Sequence, residues 1–129
     1  MVEIEYSKIP AQDHKQVHIA LDLDGTLAHY ETWDKQGNEM GKPIKSMVEK
    51  VKQWLKKDYR VSIFTARLTH GALESERQIS IIQKFLKENG LPDNLQITPI
   101  KFHYFTHIID DKAFHVVFNT GHIEGKTGL

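Results

Sequence analysis

The chain has 129 residues and no cysteine, and its 17 basic and 17 acidic side chains give a formal net charge of zero. That balance excludes a uniformly basic nucleic-acid binder and an acidic tail protein, and the missing cysteine excludes a disulfide scaffold, a thiolate zinc site and a cysteine nucleophile. With 40% hydrophobic residues, the expectation is one domain over 1–129 with one core, not a disordered chain.

The zero net charge conceals a gradient. Residues 1–34 balance to −5, residues 35–60 to +5, and the remainder to zero. No apolar run reaches the ~18 residues of a membrane span. The opening MVEIEYSKIP lacks the basic-then-apolar layout of a signal peptide. A soluble cytoplasmic protein with no membrane partner is therefore the expectation.

Residues 1–16 are polar and mixed and read as an N-terminal extension, with a short strand predicted at Val2–Tyr6. Val17–Leu21 is a short apolar run, the signature of a buried strand. It leads into Asp22-Leu23-Asp24-Gly25-Thr26. Residues 27–42, with Trp33, Gly37 and Gly41, predict a hairpin or flap. A helix follows Pro43, with Ile44, Met47, Val48, Val51, Trp54 and Leu55 on one face. Tyr59–Phe64 predicts a second strand ending at Thr65-Ala66-Arg67. A second helix is predicted over about 71–89, with Leu73, Ile79, Ile82, Phe85 and Leu86 inward, stopped by Asn89-Gly90. Leu95–Thr98, His107–Ile109 and Val116–Phe118 predict three further strands, the last followed by a turn at Asn119-Thr120-Gly121. Strands alternating with helices define an α/β class with a mostly parallel sheet.

In such sheets ligands collect at the carboxyl ends of the strands. Three predicted strands end there in polar residues: Asp22/Asp24, Thr65 and Asp110/Asp111. Phosphoryl transfer needs this kind of set. Asp22 is a candidate nucleophile, since carboxylates form acyl phosphates. Asp24, two residues on, is a candidate general acid and base. Gly25 permits a sharp turn past the phosphate. Several carboxylates facing a phosphate dianion call for a hard cation such as Mg²⁺, with Asp110 and Asp111 as ligands. Thr65 offers a hydroxyl donor and Lys101 a point charge. The eight histidines include His103 and His107 at i, i+4, but no HExxH-type pattern surrounds them, and zinc is not expected.

These motifs together resemble the haloacid dehalogenase superfamily of phosphohydrolases. The resemblance rests on Asp22-Leu23-Asp24-Gly25-Thr26 after a strand, Ser62-Ile63-Phe64-Thr65, Lys101, and Ile108-Ile109-Asp110-Asp111. These occur in that order across roughly residues 17–121. Small bacterial and phage members are also similar in Phe64-Thr65-Ala66-Arg67, Asp110-Asp111-Lys112-Ala113 and Asn119-Thr120-Gly121. The resemblance implies a Rossmann-like core with helices on both faces and a Mg²⁺-dependent phosphatase activity. It makes Asp22 nucleophile and metal ligand, and Asp24 the acid/base with its backbone carbonyl on the metal. Thr65, Lys101 and Thr26 would hold phosphoryl oxygens, with Arg67 touching substrate or structure. Asp110 and Asp111 would complete the metal site. Only 38 residues separate Thr26 from Thr65 and 35 separate Thr65 from Lys101, which leaves no room for a cap domain. An open, capless site leaves selectivity to the 27–42 flap or to a neighbouring subunit.

The substrate is thus expected to be a phosphomonoester of unknown size. A nucleotide or polynucleotide end is the alternative if the basic stretch borders the site. A non-catalytic binding module of the same fold is a further one. Trp33 and Tyr30 either stack on a base or leaving group, or simply pack over the sheet end.

Overall fold

The computed structural model describes residues 16–129; the strand predicted at Val2–Tyr6 lies outside them. Four strands form one all-parallel sheet: β1 (His18–Asp22), β2 (Arg60–Phe64), β3 (Ile97–Thr98) and β4 (His107–Ile109), in the order β3-β2-β1-β4. β1 lies centrally, with Ala20 opposite Ser62 on one side and Ile108 on the other. Three helices accompany the sheet: the single turn α1 (Trp33–Gln36), α2 (Lys45–Lys56) and α3 (Ala72–Glu88). Neither the β1–β2 connection nor the β2–β3 connection holds a cap domain.

The alternation of side chains along a strand fixes where the core sits. Ile19 and Leu21 of β1 and Val61 and Ile63 of β2 face one way. They form one buried cluster with Val48 and Val51 of α2 and Ile82, Phe85 and Leu86 of α3. Each such side chain contributes about 1.5–3 kcal/mol by leaving water. The steps β1-α2-β2 and β2-α3-β3 move across the sheet in the same direction, so right-handed crossovers put both long helices on this face.

The opposite face carries His18, Ala20, Ser62 and Phe64. His18 Nε2 lies 2.6 Å from Ser62 Oγ. His18 also stacks on Tyr104 and meets Phe105 edge-on, while Phe64 packs on Phe105. The aromatic segment 102–105 stands here in place of a helix. The expected helices on both faces are therefore corrected to one helical face among the described residues. The reason is that β3 connects to β4 with no helix between them.

Two other expectations change. Leu73 is 85% exposed, and Gln78 takes the inward position. Leu73 is nine residues from Ile82, half a turn out of phase at 100° per residue, whereas Gln78 is four residues away and in phase. Val116–Phe118 does not join the sheet. Val116 forms an isolated antiparallel bridge with Ile123, and Val117 N–H donates to the His122 carbonyl. The turn between them, with Asn119 and Gly121 at positive φ, folds the segment onto its own continuation. No described helix is long and apolar enough to cross a membrane.

Candidate active site

The strand order reverses beside β1, because β2 lies on one flank and β4 on the other. That is the switch point at which open α/β sheets bind ligands. A cleft of about 470 Å³ opens there, bordered by Asp22, Asp24, Thr65, Asp110 and Asp111.

Asp22 is the last residue of β1, and Asp110 and Asp111 directly follow β4. Adjacent parallel strands deliver the three carboxyl groups to one spot, with an oxygen of each within 4.8 Å of the others. Thr26 Oγ1 donates to Asp22 Oδ2 at 3.1 Å. The turn that returns Thr26 depends on Gly25, at φ +87°, where a Cβ would sit 2.7 Å from Asp111 Oδ2. Gly25→Ala combines strained backbone with displacement of Asp111. It is expected to cost about 1–3 kcal/mol, read as a lower thermal midpoint.

Crowding leaves an electrostatic mark. Burial, then a hydrogen bond with Asp111, then the charge of Asp110 push Asp22 up from 3.8 to about 7, against the opposing pull of Thr26 and the Leu23 N–H. A carboxyl group whose folded-state pKa is raised holds a proton that the unfolded chain has lost. Its contribution to stability is complete at low pH and is lost as pH rises through about 7. His18 and His107 are held below their ordinary value, both first by burial, so their contributions run the other way, with stability rising as pH rises toward 6.5. The difference between wild type and Asp22→Asn isolates the carboxyl term. In chelator, unfolding midpoints should show wild type losing on the order of 1–2 kcal/mol relative to the variant from pH 5 to 8, after allowance for water in the open cleft.

The donor set fits a metal of one kind. Three carboxylates with no imidazole or thiolate among them form an all-oxygen set suited to Mg²⁺ or another hard divalent cation. No other grouping of this type occurs among the described residues.

The Asp24 carboxylate is outside the acid cluster and accepts from both Arg67 Nε and Nη2 at 2.8 Å. Arg67, expected to touch substrate or structure, is 2% exposed. Nη1 donates to Gln78 Oε1 at 2.9 Å and Nη2 also donates to the Glu39 carbonyl at 3.3 Å. Four of its five N–H donors are thus held by the protein, two of them by Asp24, so Arg67 chiefly positions Asp24. Its ion-pair partner is thus Asp24, while Glu74 pairs with Arg77.

Thr65 is buried just beyond β2. Its Oγ1 accepts the Arg67 N–H at 3.1 Å as the cap of the short 3-10 helix Ala66–Thr69, which leaves its hydroxyl hydrogen for another acceptor. Lys101 is exposed and is not among the residues bordering the cleft; Lys112 is the lysine that borders it. Lys101 lies eight residues before the end of β4, whereas Lys112 directly follows Asp110-Asp111 and donates its N–H to Asp110 Oδ1 at 2.7 Å.

The 27–42 segment is a closed loop. His29 N–H donates to the Lys42 carbonyl and Ile44 N–H to the Leu27 carbonyl, pairing the loop's ends. The buried Gln36 amide oxygen accepts the N–H groups of Glu31 and Thr32. Gln78 Nε2 and Arg77 Nη2 both donate to the Gly37 carbonyl, which straps the loop to α3. The predicted hairpin is thus a compact loop tipped by α1, because side-chain amides satisfy its inner backbone.

Sequence reasoning missed Gln78, the residue that joins Arg67 to this loop. Its signal was available: a polar residue in phase with Ile82, Phe85 and Leu86 on the inward face. No protein-family model, curated protein or solved structure matches the chain.

Proposed function

We propose that the protein is a Mg²⁺-dependent phosphomonoester hydrolase of the haloacid dehalogenase type, working through an aspartyl-phosphate intermediate. The observation that carries this reading is the convergence of Asp22, Asp110 and Asp111 from two adjacent strands at the switch point of a parallel sheet.

Asp22 supplies the nucleophilic oxygen. It forms a bond to phosphorus as the ester bond breaks, and the leaving oxygen takes a proton. Water then attacks the acyl phosphate, which releases phosphate and restores the carboxylate. Asp110 and Asp111, with Asp22, would hold the cation, which when bound neutralises carboxylate and phosphoryl charge. The Thr26 hydrogen bond orients the Asp22 carboxyl. Thr65 O–H and Lys112 serve the phosphoryl oxygens from the cleft wall. Asp24 borders the cleft with 17% of its side chain open, and there it exchanges protons with the leaving oxygen and the attacking water. The proton transfer trades one of its two Arg67 bonds.

The supporting experiment is direct. Purified protein with Mg²⁺ should hydrolyse an activated aryl phosphate, and chelator should stop it. Thermal midpoints at pH 8 should rise with added Mg²⁺, because the cation relieves the carboxylate repulsion. No hydrolysis across a broad phosphoester panel, with that Mg²⁺ response intact, would overturn the enzyme reading in favour of a binding module. A polynucleotide substrate gains no support, since no lysine of residues 35–57 borders the cleft.

A further inference from the structure

Aromatic residues border the cleft as well as the carboxylates described above: Tyr30, Trp33, Phe64 and His70 line it, and Trp33 and His70 lie ring against ring. Tyr30 and Trp33 remain 44% and 39% exposed after all their contacts within the protein.

Trp33 is exposed but held in place. It opens α1, whose cap is the Thr32 side chain accepting Lys35 N–H. The Arg67 guanidinium lies 5.4 Å from its ring centroid. Gly37 brings backbone against its indole edge, where a Cβ would come within 3.2 Å of Cε2. The exposed His70 ring stands 5.5 Å from it at 31°, so the indole already has one planar neighbour while 39% of the residue stays open. A large, preorganised apolar ring left in water costs solvation and is suited to binding, since little side-chain freedom remains to be lost. The same guanidinium holds Asp24, which ties Trp33 to the reacting end.

The charge lining is sparse. Among the described residues Lys112 is the one lysine on the cleft, and the Arg67 guanidinium is buried with four of its five N–H donors already taken. That suits one phosphoryl group rather than a polyphosphate or a nucleic-acid backbone. The volume, about 470 Å³, falls in the range of small-molecule sites.

We infer that the cleft selects phosphomonoesters carrying a planar aromatic group, with nucleoside monophosphates as the fitting class and Trp33 as the stacking platform. The inference rests on the phosphatase reading for the fate of the ester, but the recognition it describes is measurable by itself.

Two tryptophans occur in the chain, so a Trp54→Phe background leaves Trp33 as the only indole fluorophore. Guanosine 5′-monophosphate should quench it saturably, and ribose 5-phosphate should not. Phenyl phosphate separates the two sources of an aromatic ring: weaker quenching than the nucleotide identifies a nucleobase, and stronger quenching identifies an aryl group. In turnover, Trp33→Leu should raise KM for the nucleotide about tenfold, raise KM for ribose 5-phosphate far less, and be largely rescued by Trp33→Phe. Absence of quenching, together with equal effects of Trp33→Leu on nucleotide and ribose phosphate, would overturn the inference and leave the phosphatase reading standing. Quenching with no turnover of any ester would support the aromatic site and remove the phosphatase chemistry instead.

Discussion

Asp22→Asn is expected to abolish phosphoester turnover, by about 10³-fold or more, while making the metal-free protein more stable at neutral pH. The two effects have opposite signs because one carboxyl group has two consequences. As a nucleophile it is irreplaceable, since an amide oxygen forms no comparable acyl phosphate. As a charge it is crowded by Asp110 and Asp111, which together with burial hold it at about 7. Replacing it with a neutral isostere removes the repulsion at pH 7.5, and a gain of about 1 kcal/mol is reasonable in an open cleft. Thr26 keeps its acceptor, so the loop geometry survives. Paired measurements decide the matter: initial rates with an aryl phosphate, and unfolding midpoints in chelator. Retained turnover would remove Asp22 as the nucleophile. Lost turnover with lost stability would mean only that the site has collapsed.

Arg67→Ala is expected to be the most destabilising single change in the site, by about 3–5 kcal/mol, because it leaves a partly buried carboxylate without its partner. For a chain of this size the thermal midpoint should fall by roughly 10–20 °C. Gln78 Oε1 and the Glu39 carbonyl each lose a donor in the same stroke. Arg67→Lys should recover only part of the loss, since a single ammonium cannot hold both Asp24 oxygens and reach Gln78. In a double-mutant cycle, Asp24→Ala with Arg67→Ala should cost clearly less than the sum of the two single changes. Additive losses, or an Arg67→Ala protein within about 0.5 kcal/mol of wild type, would show that the pair does not act as a unit.

The Arg67 prediction exposes the boundary between local and tertiary information. The strands β1, β2 and β4 and the helices α2 and α3 were legible within a residue or two, because each signal is local: an apolar run, a 3.6-residue period, a Gly or Pro stop. Asp22, Asp110 and Asp111 were legible as site residues for the same reason. A parallel strand delivers whatever follows it to one edge of the sheet. The turn expected at Asn119-Thr120-Gly121 forms, but Val116–Phe118 is no strand of the sheet: the turn lets Val116 pair with nearby Ile123, and an apolar run alone does not say which partner it takes.

By itself, the sequence determined the α/β class, the missing cap, and the acidic residues at the strand ends, all of which follow from spacing along the chain. Tertiary structure alone decided that Asp24 belongs to Arg67 and not to the acid cluster, that Lys112 borders the cleft where Lys101 does not, and that the basic stretch keeps its lysines off the cleft. Those assignments join residues such as Asp24 and Arg67, 43 apart in the chain. Charge type and spacing cannot choose among such distant partners. Packing, burial and the need to pair a buried guanidinium make that choice.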